Sequence, residues 1–313
     1  MDISLELLDP NWIGLQKRNK KMNLNWTGER LLPEIDTLFG TFEHLHRYAI
    51  ALEICKGKDV LDLACGEGYG SNLLSRVSKS TVGVDVSSEV IAHAHSKYIK
   101  ENLSFCLGSA TKIPLGDKSI DVVVSYETLE HFVEHEHFMI EVKRVLRPEG
   151  ILILSTPDRD LYHNRDPNNI YHLRELDTDE LKNLVSNSFA NNMLFKQRMF
   201  IGSVINDDDG INGFYRFFDG GFSDINNRLN CHDFFNTPFF NVIVASNAPF
   251  ELPSISLFSA YNAYEAEKKE IISRLAYYKS INDRLKRHWS YKLYSFLVHR
   301  ILNPVKSNIR IFK

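Results

Sequence analysis

The residues whose types and spacing could do chemistry begin at Val60–Ser71, VLDLACGEGYGS. An apolar run there ends in three alternate glycines, Gly66, Gly68 and Gly70, and Asp62 stands four residues before the first of them. A glycine-rich turn between a strand and a helix lets backbone N–H groups approach a ligand, and at a helix N-terminus the usual ligand is a phosphate. A carboxylate at the mouth of that turn repels phosphate and suits a ligand that carries an ammonium and a sulfonium. Asp85, nineteen residues after Gly66 and at the end of the next apolar run, has the type and spacing that accept both hydroxyl protons of a ribose. That role is shared with nicotinamide-dependent oxidoreductases, so Asp85 alone does not separate the two ligands, whereas Asp62 and the alternate glycines favour the cationic one. S-adenosylmethionine combines ammonium, sulfonium and ribose. Cys65, inside the loop with no base evident beside it, reads as a small packed residue and not as a nucleophile.

The elements that must position these residues follow from periodicity. β-branched and apolar runs at 59–65, 81–86, 103–108, 119–126 and 150–156 predict five strands, with helices at 69–78, 87–100 and 133–147 between them. The last helix is closed by Arg147-Pro148-Glu149-Gly150. Strands alternating with helices predict an α/β fold whose mostly parallel sheet is covered on both faces and binds ligands at the strands' carboxyl ends. Two later strand candidates lie near 196–205 and 239–246.

Length and charge bound the rest. A chain of 313 residues holds one catalytic-size domain with appendages, and 43% hydrophobic with 25% charged residues is ordinary for a soluble protein. The formal net charge of −3 gives no global pull toward nucleic acid. Cysteines at 55, 65, 106 and 231 have no metal-binding or disulfide spacing, no leader-like apolar region precedes them, and no run is long enough to span a bilayer. A cytoplasmic protein is expected.

Four segments in order, Asp62-x-x-x-Gly66-x-Gly68-x-Gly70, GVDVS, IPLGDKSIDVVVSYETLEHF and EVKRVLRPEGILILSTP, resemble the class I S-adenosylmethionine-dependent methyltransferases from about Thr27 to Leu184. The resemblance implies a Rossmann-like, mostly parallel seven-stranded sheet with helices on both faces. It also implies that Asp62, Ala64, Gly66, Gly68 and Gly70 approach the methionine part, Asp85 and Val86 the ribose, Ser109 and Ala110 the adenine, and Tyr126 the cofactor from the fourth strand. Many relatives have aspartate where Ser109 stands, and a serine hydroxyl can also accept from the adenine amino group. Glu127, Glu130 and His131 resemble the Glu-x-x-Glu-His of quinone-precursor O-methyltransferases, which can hold a divalent cation; the full ligand set is not visible, and a metal is not the favoured reading. His131 is otherwise a general base for a hydroxyl acceptor or a structural histidine. His135 and His137 read as a solvated helix start.

TGERLLPE (27–34), FEHLHRYAIAL (42–52) and NIYHLRELDTDELKNLV (169–185) look like segments of methyltransferases from bacterial surface-polysaccharide (O-antigen type) pathways. On that resemblance the acceptor is a sugar or glycan hydroxyl. Arg47 and Tyr48 contact the methionine carboxylate or pack on the core, and His172 is a second base candidate or a strut to its loop. The expected organisation is an N-terminal cap at 1–56, the catalytic domain at 57–250 with a lid or acceptor insertion at 207–238, and a helical, basic extension at 251–313. Residues 261–288 predict a long polar helix with Tyr261, Tyr264, Ile272, Leu275 and Ile281 near one face. From Lys279 to Lys313 nine Lys/Arg face one acid, Asp283, with Trp289, Tyr291, Tyr294, Phe296 and Leu297 interleaved. Such a tail can lie on an anionic membrane's inner face, dock on a glycan-assembly partner, or pack on its own domain; nucleic acid is the less expected partner.

Overall fold

A computed structural model describes residues 38–162, 169–199, 217–219, 230–232, 239–252, 259, 261–287 and 292. The chain divides into two units, 1–257 and 258–313. The first unit begins its described part with helix α1 (Leu38–Ile54), then β1 (Asp59–Leu63), α2 (Tyr69–Leu74), β2 (Ser80–Asp85), α3 (Ser88–Lys97), β3 (Leu103–Leu107) and β4 (Ile120–Tyr126). A 3₁₀ turn (Leu129–His131) leads to α4 (His135–Val145), β5 (Leu146–Pro157), α5 (Arg159–Tyr162), α6 (Thr178–Ser186) and β6 (Asn191–Gln197). Strands β7 (Phe217–Asp219) and β8 (Asn230–His232) form a separate two-stranded ribbon, and β9 (Phe240–Ser246) returns to the main sheet.

The main sheet has seven strands in the order β3-β2-β1-β4-β5-β9-β6. Strands β1 to β5 pair in parallel, and β9 runs antiparallel between β5 and β6. The strand order reverses between β1 and β4, and the crevice at that reversal is where such sheets take their ligands. Successive strand residues face opposite ways, which builds a core on each face. Val60, Val122, Val124 and Ile153 pack with Ala51 of α1, Cys55 just after it and Leu74 of α2. Their neighbours Leu61, Val123, Leu152 and Leu154 pack with Phe138, Met139 and Val142 of α4 and Leu181 and Val185 of α6. Strands buried on both faces explain why the sequence shows apolar runs there and not alternation.

Helix α6 begins at a capping box: the Asp177 carboxylate accepts N–H bonds from Asp179 and Glu180, and Glu180 accepts the N–H of Asp177 in return. Two expectations need correction. The helix expected to run to Arg147 stops at Val145, and Arg147-Pro148-Glu149-Gly150 already belong to β5, where the register with β4 jumps from Ile120–Leu146 to Val122–Ile151. The strand placed near 196–205 lies at Asn191–Gln197, because its partner residues in β9 pair with Asn191 through Gln197.

In the second unit, α7 (Tyr261–Arg287) is a single helix whose Ile271, Ile272, Leu275, Tyr277 and Tyr278 are exposed. Among the described residues no helix is long and apolar enough to cross a membrane. TGERLLPE, nearly all of the 207–238 insertion and, save residue 292, the basic aromatic tail beyond residue 287 lie outside the described residues.

Gly70 tests the packing of the glycine loop on α1, because a Cβ there would lie 2.0 Å from the Tyr48 hydroxyl oxygen. Tyr48 is 5% exposed and has no room to retreat. Gly70→Ala is expected to destabilise the protein by about 1–3 kcal/mol through overpacking, read as a shift in the denaturant midpoint.

Candidate functional site

One cavity of about 880 Å³ opens at the carboxyl ends of the parallel strands. Its floor is Ala64–Glu67 after β1, Asp85 and Val86 after β2, Gly108–Thr111 after β3 and Tyr126–Thr128 after β4. Helix α1 supplies one wall through Glu43, His44, Arg47 and Tyr48, and Tyr162, Tyr171, His172 and Phe240 close the far end.

At the first end the backbone is bent to meet a ligand. Ala64 (φ 61°), Gly66 (φ 54°) and Gly68 (φ 92°) are left-handed. For Ala64 that conformation costs roughly 1–2 kcal/mol, strain of the kind found at ligand sites. Asp85 is fixed by two backbone donors, Gly66 N–H at 3.0 Å and Ser87 N–H at 2.9 Å. A carboxylate has about four acceptor sites, so two remain for a ribose diol at the cavity wall. Ser109 accepts the Thr111 N–H at 3.2 Å and lies 2.9 Å from the Thr111 hydroxyl, which puts Ser109, Ala110 and Thr111 together at the cavity wall after β3.

Of the glycine-loop residues singled out in the sequence, Ala64 and Gly66 line the cavity, whereas Asp62, Gly68 and Gly70 lie behind it. Asp62 is 1% exposed, beneath the loop, and accepts from Ser71 Oγ at 2.6 Å and Tyr48 OH at 3.2 Å. It shapes the site by holding Tyr48 and the first turn of α2. Cys65 is buried, and burial pushes its thiol far up, so it stays protonated. Glu67 went unread in the sequence: its buried carboxylate binds Lys97 at 3.0 Å and the Tyr98 hydroxyl at 2.8 Å, tying the loop to α3. No local spacing announces a contact across thirty residues.

Arg47 is an enclosed cation of the site, at 1% exposure. It ion-pairs with Glu127 and donates to Ser155 Oγ at 2.7 Å, while Ser155 donates to Glu127 at 2.6 Å. Its guanidinium lies 4.8 Å from the Phe240 ring centroid. Its Nη2 is buried without a hydrogen-bond partner, a donor in the cavity wall suited to a ligand carboxylate. Burial, and then Arg47, hold the His44 imidazole well below its usual range, so it is neutral; its Nδ1 lies 2.8 Å from the Tyr69 hydroxyl.

At the second end, Glu130, His131 and His172 come together with one donor atom of each inside 4.8 Å of the others. His131 Nδ1 lies 3.1 Å from the Tyr171 carbonyl, which can only accept, so the proton sits on Nδ1. His172 Nδ1 is hydrogen-bonded to the Glu175 carboxylate, and its ring stacks on Tyr162 at 5.6 Å. Glu130 is 1% exposed; burial, and then Glu127, hold its carboxyl well above the usual range. His135 corrects the expectation of a solvated histidine: it is 1% exposed, and its Nε2 donates to the Leu129 and Phe132 carbonyls, bracing the turn that carries His131. His137 is exposed as expected.

Residues 61–154 match the family described as "Methyltransferase domain". A "Probable S-adenosylmethionine-dependent methyltransferase" of Mycobacterium tuberculosis is 38% identical over 165 residues, 52% of this chain and 60% of its own length. A protein of the same description from Mycolicibacterium smegmatis is 36% identical over 162 residues, 51% of this chain and 62% of its own. Phthiotriol/phenolphthiotriol dimycocerosates methyltransferase 1 of Mycobacterium ulcerans is 36% identical over 110 residues, 34% of this chain and 40% of its own. This chain therefore spans about 60% of the length of the first relatives it matches. Among solved structures, the YcgJ protein of Bacillus subtilis overlays 66% of this chain and 100% of its own at 18% identity and a TM-score of 0.46. The matched residues 61–154 run from β1 into β5, so the methyltransferase-domain similarity falls on the strands β1, β2, β3, β4 and β5 of the main sheet. The surface-polysaccharide resemblance is not carried by these relatives.

Two predictions test the first end. Asp85→Ala should weaken binding of S-adenosylhomocysteine by about 1–3 kcal/mol, measured by calorimetry on protein whose fold is checked by thermal unfolding. The second concerns Asp62, where burial raises the carboxyl from its ordinary value to about 6 against the lowering hydrogen bonds of Ser71 and Tyr48. The folded state then holds this proton more tightly than the unfolded chain does, so stability from this group is greatest below pH ~4 and declines as pH rises through about 6. Asp62→Asn should lose that decline, read as the difference between the two proteins' unfolding free energies at pH ~4.5 and ~7.

Proposed function

We propose that the protein transfers the methyl group of S-adenosylmethionine to a hydroxyl oxygen held at the Glu130–His131–His172 end of the cavity. The observation that carries this is a single cavity whose two ends differ in chemistry. One end fits the cofactor: a carboxylate positioned for a ribose, an unpaired buried guanidinium donor for a carboxylate, and a left-handed loop between them. The other end gathers two imidazoles and a buried carboxylate.

When bound, the cofactor supplies a methyl already activated on a sulfonium, so the protein's task is alignment and exclusion of water. Arg47 Nη2 takes the methionine carboxylate, Asp85 the ribose hydroxyls, and the Ser109–Thr111 loop the adenine edge. Tyr48, Tyr69 and Tyr126 wall off water around the reacting centre. His44, being neutral, adds no second cation beside the sulfonium. His131, with its proton fixed on Nδ1, presents a basic Nε2 as the group to receive the acceptor proton.

A sugar hydroxyl is the leading acceptor, since carboxylates and aromatic faces at this end suit a polyol. A second reading has its own observation: Val133, Ile170 and Leu173, each next in sequence to a cavity-lining residue, are 50%, 81% and 65% exposed, apolar surface suited to an acceptor with an alkyl chain. The M. ulcerans relative, a dimycocerosates methyltransferase by description, agrees with that reading. Methyl-labelled cofactor offered with glycan and lipid fractions separates the two by where label appears. His131→Ala is expected to lower turnover roughly 10²- to 10⁴-fold with S-adenosylhomocysteine affinity nearly intact. Full turnover in the folded variant would remove His131 from the reaction.

A further inference from the structure

We propose that Glu130, His131 and His172 form a binding site for one first-row divalent transition cation, of the zinc or cobalt type, at the acceptor end of the cavity. Its chemical use rests on the methyl-transfer reading above, but its existence does not. The sequence pairs Glu127 with Glu130 and His131, an oxygen-rich set. The fold breaks that set: Glu127 is taken by Arg47 and Ser155, and His172, forty-one residues after His131, arrives in its place.

Three independent features favour a cation here. Both imidazoles are oriented by an oxygen on Nδ1, the Tyr171 carbonyl and the Glu175 carboxylate, the outer-layer pattern of metal-bound histidine. Glu130 is 1% exposed, accepts one side-chain bond from Thr156 at 3.1 Å, and has no ion-pair partner among the described residues; a buried carboxylate calls for a cation. The third is rigidity. Leu173 and Arg174 donate their N–H groups to the Glu130 carbonyl at 2.7 and 3.2 Å, so the loop bearing His172 is strapped to the turn bearing the other two ligands.

Two nitrogens and one oxygen favour borderline ions over magnesium or calcium, which prefer all-oxygen shells. Tetrahedral ligands at ~2.1 Å from a metal sit ~3.4 Å apart, so the 4.8 Å cluster needs only a small inward turn of the rings. Three protein ligands leave a position for the acceptor. With the cation bound, His131 is a ligand and not the base of the reading above: the cation beside the acceptor hydroxyl lowers its pKa, and the proton passes to solvent water. The O–CH₃ bond then forms from an oxygen lone pair while the S–CH₃ bond breaks with its electrons retained on sulfur.

The test uses full-length, tag-free protein stripped with a chelator, titrated with Co²⁺ and read by visible absorption, with Zn²⁺ as competitor and Mg²⁺ as the hard-ion control. S-adenosylhomocysteine binding is measured on the same samples. Expected are one Co²⁺ per chain, displacement by Zn²⁺ and not by millimolar Mg²⁺, about 100-fold weaker binding in His172→Ala and about 10-fold in the milder Glu175→Gln, with homocysteine-nucleoside affinity unchanged. The proposal is overturned if folded protein that binds S-adenosylhomocysteine takes up no stoichiometric Co²⁺, or if both variants bind it as wild type does. Stoichiometric Co²⁺ with no S-adenosylhomocysteine binding would uphold the cation site and sink the methyl-transfer reading.

Discussion

The enclosed guanidinium of Arg47 is the constraint on which the cavity depends. A cation at 1% exposure is tolerable only if its partners are fixed, and here they come from three distant elements: Glu127 after β4, Ser155 in β5 and the Phe240 ring at the start of β9. Tyr126 closes the arrangement by donating its hydroxyl to the Arg47 carbonyl at 2.8 Å. Removing one partner of such a buried pair typically costs 3–5 kcal/mol, because the other charge is left uncompensated. Helix α1 is thereby locked over the sheet's carboxyl edge, and the same lock fixes Glu127 in a left-handed conformation at φ 51°.

That lock divides the acids after β4 between two tasks. Glu127 is spent on Arg47 and lies 17% exposed, whereas Glu130, three residues on, is turned away toward Thr156 and the two histidines. A run of acids that looks uniform in sequence thus becomes one structural carboxylate and one site carboxylate. Charge is arranged the same way at the glycine loop. Asp62 supports Tyr48 and Ser71 from below, Asp85 is gripped from above by two N–H groups, and Glu67 fastens the loop sideways to α3. Three carboxylates within twenty-four residues hold one loop, and only Asp85 and Glu67 reach the cavity wall.

How much of this the sequence carried depends on range. The five parallel strands, the glycine loop, Asp85 at its strand end and the Ser109–Ala110 turn were legible, because β-periodicity, left-handed turns and strand-end positions are set by residues near one another in the chain. Boundaries slipped where local signals conflict, as at Arg147-Pro148-Glu149-Gly150, whose turn residues end a helix and sit inside a register jump of a strand. Asp62 was read as a wall residue because its spacing to the glycines is local, while its burial depends on Tyr48 arriving from α1.

The sequence by itself determined the order of strands and helices and the left-handed glycine loop at the carboxyl edge of the sheet, all encoded in short-range spacing. Tertiary structure alone decided which acid neutralises Arg47, that His135 braces a turn and does not meet solvent, and that His172 joins Glu130 and His131. Those outcomes depend on where α1, β9 and the 169–175 loop pack against β4, contacts between residues dozens of positions apart. Side-chain type sets what each group can do, but burial and the partner across the cavity set what it does, and neither is a property of neighbours in the chain.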